Sequence, residues 1–304
     1  MGIYLNPGNE VFRQIVNADL YIDKTMLLRE TNRLLDSANK YICMSRPRRF
    51  GKTVTGNMLC SYYSRGCDSR ELFEPFRISR DPGFLKNLNR YHVIKIDMNS
   101  EYQSAQEKKD VLKILTEEVR EEMKTAFPDV VFRGSDSLAR CILRVYAAKQ
   151  ETFIILLDEY DVFVREQVSD ELFQEYLAFL NSLFKSDTLR PAISLAYLTG
   201  ILPIVRDKVQ SKLNNFREYT ILNAGVFAEY VGFTARETEE VCAERGIDFN
   251  ECRRWYNGYR QKGFEIYNPE SVARCVETHI FDSYWGQTSS YEVISDRIRL
   301  DFAG

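Results

Sequence analysis

The sequence contains no run of about 18 apolar residues, and its N-terminus lacks the charged, then apolar, then small-residue pattern of a secretory signal. These absences exclude a membrane-spanning helix and a signal peptide, so the cytoplasm is the expected location. The formal net charge of −3 argues against an overall basic surface for nucleic acid, although a local basic patch is compatible with it. Non-specific DNA binding is therefore not expected.

Regular cysteine spacing, internal repeats, low-complexity segments and long Gly/Pro/Ser linkers are also absent. The seven cysteines are an odd number at irregular spacing, which predicts reduced thiols rather than a disulfide framework. With 304 residues, 44% of them hydrophobic and 28% charged, the chain is long and apolar enough for one large globular domain plus a smaller one.

Apolar runs alternate with segments of helical pattern, which predicts an α/β fold with a parallel sheet wrapped by helices. After residue 222 the pattern changes, and Thr234 and Glu237 form a predicted capping box that opens a helix. We expect a core over residues 1–222 and a smaller, mainly helical domain over residues 223–304. The predicted strands cover residues 41–45, 92–98, 153–157 and 193–200, and the predicted core helices cover residues 52–64, 106–126, 137–148 and 171–184.

One run follows an apolar strand and opens a helix, and it comprises Arg46, Pro47, Arg48, Arg49, Phe50, Gly51, Lys52 and Thr53. Gly51 lets backbone N–H groups approach phosphate oxygens, Lys52 reaches the β- and γ-phosphates, and the Thr53 hydroxyl is a ligand for Mg²⁺. The N-terminal end of the following helix attracts the same anion. The run is therefore predicted to be a phosphate-binding loop, or Walker A motif.

The loop departs from the usual pattern, which has glycine at the position of Arg46. A side chain on a residue with positive φ costs about 1–2 kcal/mol, and Pro47 removes one backbone N–H donor. Either the loop begins along a different path or it binds phosphate weakly. Arg48 and Arg49 favour the first alternative, because guanidinium groups supply charge-assisted bonds that replace lost amide donors.

A second candidate motif lies downstream, where the continuous apolar run 153–157 ends in Asp158 and Glu159. Such a run is typical of a parallel strand buried on both faces, and ligands of open α/β sheets bind at the carboxyl ends of strands. Asp158 is therefore a candidate for the Mg²⁺ shell and Glu159 for polarising the attacking water, as in a Walker B motif. The alternative is a strand that ends in a solvated turn.

Two further positions each allow two interpretations. Thr199 ends a predicted strand, where it is either a γ-phosphate sensor or a threonine that makes a local turn bond. Tyr21 either stacks on the nucleotide base or belongs to a helix entry with Asp23 near the cap.

Five motifs in a fixed order resemble the bacterial AAA-ATPase-like family, in which the Arg-Pro-Arg-Arg-Phe-Gly-Lys loop is itself typical. The resemblance covers nearly the whole chain. It implies a P-loop NTPase core with a three-layer α/β/α parallel sheet of the additional-strand, catalytic-glutamate type, followed by a helical lid. It also implies that the Thr199 strand lies between the loop strand and the Asp158 strand. The motifs occupy residues 21–25, 46–53, 157–161, 198–201 and 256–259.

Members of this family often carry a PD-(D/E)XK-type nuclease-like domain after the lid, and this chain ends before such a region. We therefore expect the sequence to be truncated relative to a longer protein. Two E-x-K tripeptides, at residues 107–109 and 122–124, lie in a helical pattern and are interpreted as solvated helix charges.

The leading hypothesis is ATP binding and Mg²⁺-dependent hydrolysis that moves the lid on the core, with Glu159, Lys52 and Thr199 as catalytic residues. A second is a nucleotide-dependent binding switch with negligible turnover. A third is an ATPase module that gates a nuclease or another nucleic-acid-handling activity in a longer protein. The candidate partners of such a protein are a nucleic acid or another protein, bound through the missing C-terminal domain. The arginine finger has three candidate sources, which are Arg206, Arg217 and another subunit. The oligomeric state and the choice of ATP over GTP stay open.

Overall fold

A computed structural model of the chain describes residues 1–203, 213–261 and 264–284. Arg206, one candidate arginine finger, lies outside the described residues. Among the residues that are described, no helix combines the length and the apolar character needed to cross a membrane.

The chain divides into two compact units, and each is described by itself. The first unit comprises Met1–Arg46 with Lys52–Thr220, and the second comprises Pro47–Gly51 with Ile221–Gly304. The sequence did not predict that five residues of the candidate phosphate loop would group with the second unit.

The first unit is built on a parallel sheet with the strand order β2-β3-β4-β1-β5. β4 lies between β1 and β3, as the family resemblance implied. Every residue of β1, β3 and β4 is buried, because apolar runs of this length fit strands that are covered on both faces. The sheet is thus the middle layer of a three-layer α/β/α fold. Its strands are β1 (Tyr41–Ser45), β2 (His92–Asp97), β3 (Phe153–Asp158), β4 (Ile193–Gly200) and β5 (Arg217–Tyr219).

Three of the four predicted core helices begin within one residue of their predicted starts, and the fourth does not. The predicted helix 106–126 begins only at Val111, because Lys108 lies in a 3₁₀ turn and its ammonium donates to the carbonyls of Gln103 and Ala105. The helices are α1 (Glu10–Val16), α2 (Leu27–Leu34), α3 (Lys52–Tyr63), α4 (Arg70–Phe73), α5 (Phe84–Asn87), α6 (Met98–Ser104), α7 (Val111–Ala126), α8 (Leu138–Lys149), α9 (Val162–Arg165) and α10 (Asp170–Phe184).

The second unit combines helices with a small antiparallel sheet, in the order β6-β8-β7, that the sequence did not predict. The predicted capping box is present, since the Glu237 carboxylate accepts the backbone N–H of Thr234 at 2.7 Å and the Thr234 hydroxyl accepts that of Glu237. The elements are β6 (Phe233–Thr234), α11 (Ala235–Arg245), α12 (Phe249–Tyr256), β7 (Asn257–Gln261), β8 (Phe264–Tyr267) and α13 (Pro269–Thr278).

The Tyr21 motif has a local structural role in the first unit. The Tyr21 ring makes edge contacts with Phe12 and Phe76, at centroid distances of 6.0 and 5.4 Å. Asp23 accepts the backbone N–H groups of Thr25 and Arg77, at 2.8 and 2.9 Å. These contacts match the interpretation of a turn that leads into α2.

The N-terminal segment is held by one side chain of α7. The Glu122 carboxylate accepts the backbone N–H groups of Ile3, Tyr4 and Leu5, at 2.7, 3.1 and 2.7 Å. Leu5 also forms an antiparallel bridge with Ile94 on β2. Glu122 was interpreted as a solvated helix charge, and this interpretation is wrong because its carboxylate is committed to three backbone donors.

We predict that Glu122→Ala lowers the free energy of unfolding by about 1–3 kcal/mol, because three backbone donors lose a charged acceptor. Urea unfolding measures this change, and limited proteolysis should then cut near the N-terminus. Glu121→Ala is the matched control, since Glu121 is the neighbouring residue and its side chain is 64% exposed. Equal stability losses in the two variants would contradict the prediction.

His92, at the start of β2, is held in a neutral form. The Asn6 side-chain oxygen accepts the Val93 N–H, so its amide nitrogen donates to Nδ1 of His92 at 3.0 Å. Nε2 contacts both the Glu151 carboxylate and, at 2.9 Å, a guanidinium nitrogen of Arg65. Burial lowers the pKa of His92, aided by the charge of Arg65 and opposed by Glu151. The imidazole therefore resists protonation in the folded protein.

Because the pKa of His92 is lower in the folded chain, the unfolded chain binds the proton first as pH falls below about 6.5. Stability contributed by neutral His92 is thus present at higher pH and lost as pH falls through this window. We expect His92→Gln to reduce the loss of unfolding free energy between pH about 7.5 and about 5.5 in urea titrations. A pH dependence of stability that is the same in His92→Gln and in the wild type would contradict the prediction.

Candidate functional site

The predicted catalytic residues of the first unit meet at the carboxyl edge of the sheet. Asp158 is the last residue of β3, and Thr199 is the penultimate residue of β4, paired with Met44 of β1. Lys52 is the first residue of α3, the helix that follows the loop after β1. Parallel pairing therefore brings together residues that are far apart in the sequence.

Thr199 and Asp158 are in direct contact. The Thr199 hydroxyl donates a hydrogen bond to Oδ1 of Asp158, and the two residues are 2% and 5% exposed. The Glu159 N–H donates to the same oxygen at 3.1 Å. Thr199 therefore bonds across the strands, and the alternative of a local turn bond is not what the structure has.

Lys52 is a buried cation beside three carboxylates. Its ammonium donates to the Arg46 carbonyl oxygen at 3.0 Å, and the residue is 5% exposed. Burial lowers the pKa of Lys52, and the negative charges of Glu159, Asp158 and Asp161 oppose this effect. These groups are thus electrostatically coupled around one position.

Glu159 lies directly after β3 with an uncommon backbone conformation, φ = 53°. This left-handed conformation is rare for a residue with a side chain, and it turns the chain away from the strand direction. The carboxylate forms an ion pair with Arg165 at the end of α9. Burial raises the pKa of Glu159, whereas the charges of Lys52 and Arg165 lower it.

Arg46, a member of the predicted phosphate-binding loop, has its side chain turned away from solvent. The residue is 1% exposed, and its guanidinium donates to the carbonyl oxygens of Ser45 and Tyr219, both at 3.0 Å. Burial lowers the pKa of Arg46 to about 10. The backbone N–H of Arg46 donates to the carbonyl oxygen of Gly200, and the φ angle of Arg46 is not positive. The loop therefore begins along a different path from the glycine pattern, tied to β5.

The loop residues that belong to the second unit are fixed within that unit. Phe50 is 1% exposed and packs edge-on against Tyr259, with centroids 5.2 Å apart. Arg49 has φ = 66° and pairs with Glu270 at 3.1 Å. The Arg48 side chain is exposed, and Pro47 is half-buried. Positive φ values thus occur later in the loop than the general pattern places them.

The residues present have the chemistry needed for a nucleotide with Mg²⁺. Gly51 has φ = 82°, and no atom lies within 4 Å of the position where a Cβ would stand, so a ligand can approach its backbone. The Thr53 side chain is exposed at the start of α3, and Oδ1 of Asp158 accepts the Glu159 N–H and the Thr199 hydroxyl. Mg²⁺ prefers such oxygen ligands and needs only one or two from protein beside phosphates. The described residues contain no cluster of three or more His, Cys, Asp or Glu that could by themselves hold a metal ion.

Sequence reasoning missed three charged residues at this edge. Arg165 and Asp161 lie beside Glu159, and their spacing of four residues on a helical turn was the available signal. Asp97, the neighbour of Asp158 in the strand register, caps α6 by accepting the N–H groups of Asn99 and Ser100. Arg217, a candidate arginine finger, is exposed at the start of β5.

Comparison with known proteins gives one family. The family described as "Predicted AAA-ATPase" (AAA-ATPase-like) matches residues 7–210. A relative from Azotobacter chroococcum mcd 1, described as an uncharacterized protein in the vnfD 5′ region, is 24% identical over 300 residues. The alignment covers 95% of this chain and 55% of the relative, so the chain spans about half of that relative's length.

Two solved structures have a distant similarity to the chain. The Aeropyrum pernix Orc1 protein in complex with DNA aligns with a TM-score of 0.40 at 13% identity, covering 90% of this chain and 59% of Orc1. Caenorhabditis elegans PCH-2 aligns with a TM-score of 0.30 at 13% identity, covering 88% of this chain and 56% of PCH-2.

We predict that Arg46→Ala lowers the free energy of unfolding by about 2–4 kcal/mol, because two carbonyl oxygens lose a donor and a cavity forms. Chemical denaturation measures the loss. Arg48→Ala is the matched control, two residues along and exposed, and should change stability by less than about 0.5 kcal/mol. A fully stable Arg46→Ala protein would show that the buried guanidinium is dispensable.

Proposed function

This chain belongs to the AAA-ATPase-like family of predicted AAA-ATPases, which implies nucleotide binding, and we propose that it binds ATP with Mg²⁺ and hydrolyses it. The observation that carries this proposal is the convergence of Lys52, Asp158, Glu159 and Thr199 at one edge of the sheet. A buried cation, a buried carboxylate with a bound hydroxyl and a second carboxylate are the parts that phosphoryl transfer needs.

Each residue has a role that follows from its position. Lys52 donates to the β- and γ-phosphate oxygens, because its ammonium is already buried among acceptors. Thr53 and Asp158 hold Mg²⁺ through a hydroxyl and a carboxylate oxygen. When bound, Mg²⁺ supplies charge stabilisation at the transferring phosphoryl group. Glu159 orients and polarises the attacking water, and Thr199 positions Asp158 and senses the γ-phosphate.

The loop residues 46–53 contribute mainly through their backbone. The buried guanidinium of Arg46 holds the start of the loop in place through its bond to Tyr219, and it does not contact phosphate directly. Arg48 and Arg49 are candidates for phosphate or partner contacts, since both are exposed. Turnover is proposed to move the second unit as a lid.

The arginine finger and the cellular location are separate parts of the proposal. Arg217 is an exposed candidate for the arginine finger, alongside Arg206 and a residue of another subunit. All seven cysteines are free thiols, which supports a cytoplasmic location.

The alternative class is a nucleotide-dependent binding switch with negligible turnover. It needs Lys52 and Mg²⁺ binding but not water activation by Glu159. A partner affinity that depends on nucleotide and survives Glu159→Gln, but is lost in Lys52→Ala, distinguishes this alternative from hydrolysis.

The test is a titration with ATP, ADP and GTP, with and without Mg²⁺, together with phosphate-release assays. We expect Lys52→Ala to weaken ATP binding at least about tenfold, because a charge-assisted bond to phosphate is lost. We expect Glu159→Gln to retain binding and to lower turnover by about 100-fold or more, since a general base is removed.

Lys113→Ala is the matched control, because Lys113 is an exposed lysine on α7. Its binding and turnover should equal those of the wild type. Wild-type turnover equal to that of Glu159→Gln would remove the catalytic assignment, and binding that is insensitive to Lys52→Ala would remove the site.

A further inference from the structure

Arg165 holds the carboxylate proposed to activate water. Its guanidinium donates to Oε2 of Glu159, and its Nε lies 3.4 Å from Oδ1 of Asp161. The side chains of Arg165, Glu159 and Asp161 are 10%, 21% and 2% exposed. Because solvent is largely excluded, these ion pairs are screened less than pairs on the surface.

Asp161, the carboxylate on which Arg165 rests, is itself fixed in place. Its Oδ2 accepts the backbone N–H groups of Ile201 and Leu202, at 3.0 and 2.7 Å. Tyr160 adds two more bonds to the same segment, from its N–H to Thr199 O at 2.9 Å and from its hydroxyl to Leu202 O at 2.8 Å. The turn after β3 is thus bonded to the end of β4 at four points.

Gly200 shows how closely these two segments approach. A Cβ on Gly200 would lie 2.6 Å from a ring carbon of Tyr160 and 3.0 Å from Oδ1 of Asp161. Real Cβ atoms do not tolerate the shorter distance, so a side chain at this position would displace the turn. The turn that carries Asp161, a partner of Arg165, is therefore closely packed against the end of β4.

The contact with Glu159 goes beyond what anchoring of α9 requires. The pairing with Asp161, four residues earlier, is the ordinary contact for an arginine at the end of a helical turn. The additional bond to Glu159 reaches a residue whose backbone has already left the strand direction. This bond engages Oε2 and so restrains the orientation of the carboxylate.

We propose that Arg165 is a positioning residue for Glu159. The Arg165 guanidinium, which is paired with Asp161, orients the Glu159 carboxylate toward the attacking water. This inference rests on the proposed hydrolysis by Glu159. Misplacement of a reacting group by about 1 Å costs up to about 100-fold in rate. Loss of Arg165 should therefore act on turnover and not on nucleotide affinity.

The experiment compares Mg²⁺-ATP hydrolysis and ATP binding by the wild type, Arg165→Ala and Arg165→Lys. We expect Arg165→Ala to lower kcat by about 10- to 100-fold, with KM and Kd changed less than about twofold. Arg165→Lys should restore part of kcat, because an ammonium still pairs with Oε2. Arg144→Ala is the matched control, since Arg144 on α8 makes a two-bond ion pair with Asp136, and should leave kcat unchanged.

A second readout does not depend on activity. In thermal unfolding without added nucleotide, Arg165→Ala should lower Tm by about 2–4 °C, and by less in the Glu159→Gln background, where the ion pair is already weakened. The loss caused by Arg144→Ala should be the same in both backgrounds. This cycle detects the Arg165–Glu159 coupling even if one variant is poorly stable.

The outcomes separate this inference from the proposed function. A hydrolysing wild type with unchanged or increased kcat in Arg165→Ala overturns the positioning role alone. Absence of coupling in the unfolding cycle also overturns it. A wild type that neither binds nor hydrolyses ATP overturns the proposed function, and the positioning role with it.

Discussion

Because β4 pairs in parallel with β1 on one side and β3 on the other, the carboxyl ends of three strands lie at one edge of the sheet. This pairing sets which residues meet. A shift of β4 by one residue would exchange the two faces of the strand and move the Thr199 hydroxyl away from Asp158. The full burial of β4 opposes such a shift, since each of its residues is already packed.

Burial of charge is the second constraint, and it explains why ionisable groups at this edge are paired. An isolated ion in a protein interior is strongly destabilising, so buried carboxylates are found with cations or hydrogen-bond donors. Here Lys52 and Arg165 provide positive charge for Asp158, Glu159 and Asp161. Backbone N–H groups complete the set at Asp158 and Asp161. The edge is thus an electrostatic unit, in which the protonation and position of one group depend on the others.

Four core strands and the starts of three core helices were predictable from the sequence, because continuous apolar runs and helical patterns are local signals, whereas β5 and short helices such as α4, α5 and α9 were not predicted. β1 and β4 of the core, and the capping box at Thr234 in the second unit, were predicted in this way. The strand order came from the family resemblance rather than from local pattern.

Side-chain direction and tertiary partners were not predictable in the same way. The Arg46 side chain turns inward to β5, and Glu122 binds the N-terminal backbone, because distant segments supply carbonyl or N–H groups there. Arg165 was missed for the same reason, since its second partner lies outside the helix spacing. The small sheet of the second unit has strands too short to give a clear alternation.

Lys52 and Arg165 are both buried cations at this edge, but their partners give them different roles. Lys52 donates to a neutral carbonyl oxygen, and exchange of this acceptor for a phosphate oxygen adds an attraction between opposite charges. Arg165 already binds two carboxylates, and exchange would leave at least one of them buried without its cation. Lys52 is therefore suited to exchange the Arg46 carbonyl for a phosphate oxygen of a ligand, whereas Arg165 is suited to keep its two carboxylates. This difference in acceptors assigns phosphate binding to the lysine and orientation of Glu159 to the arginine.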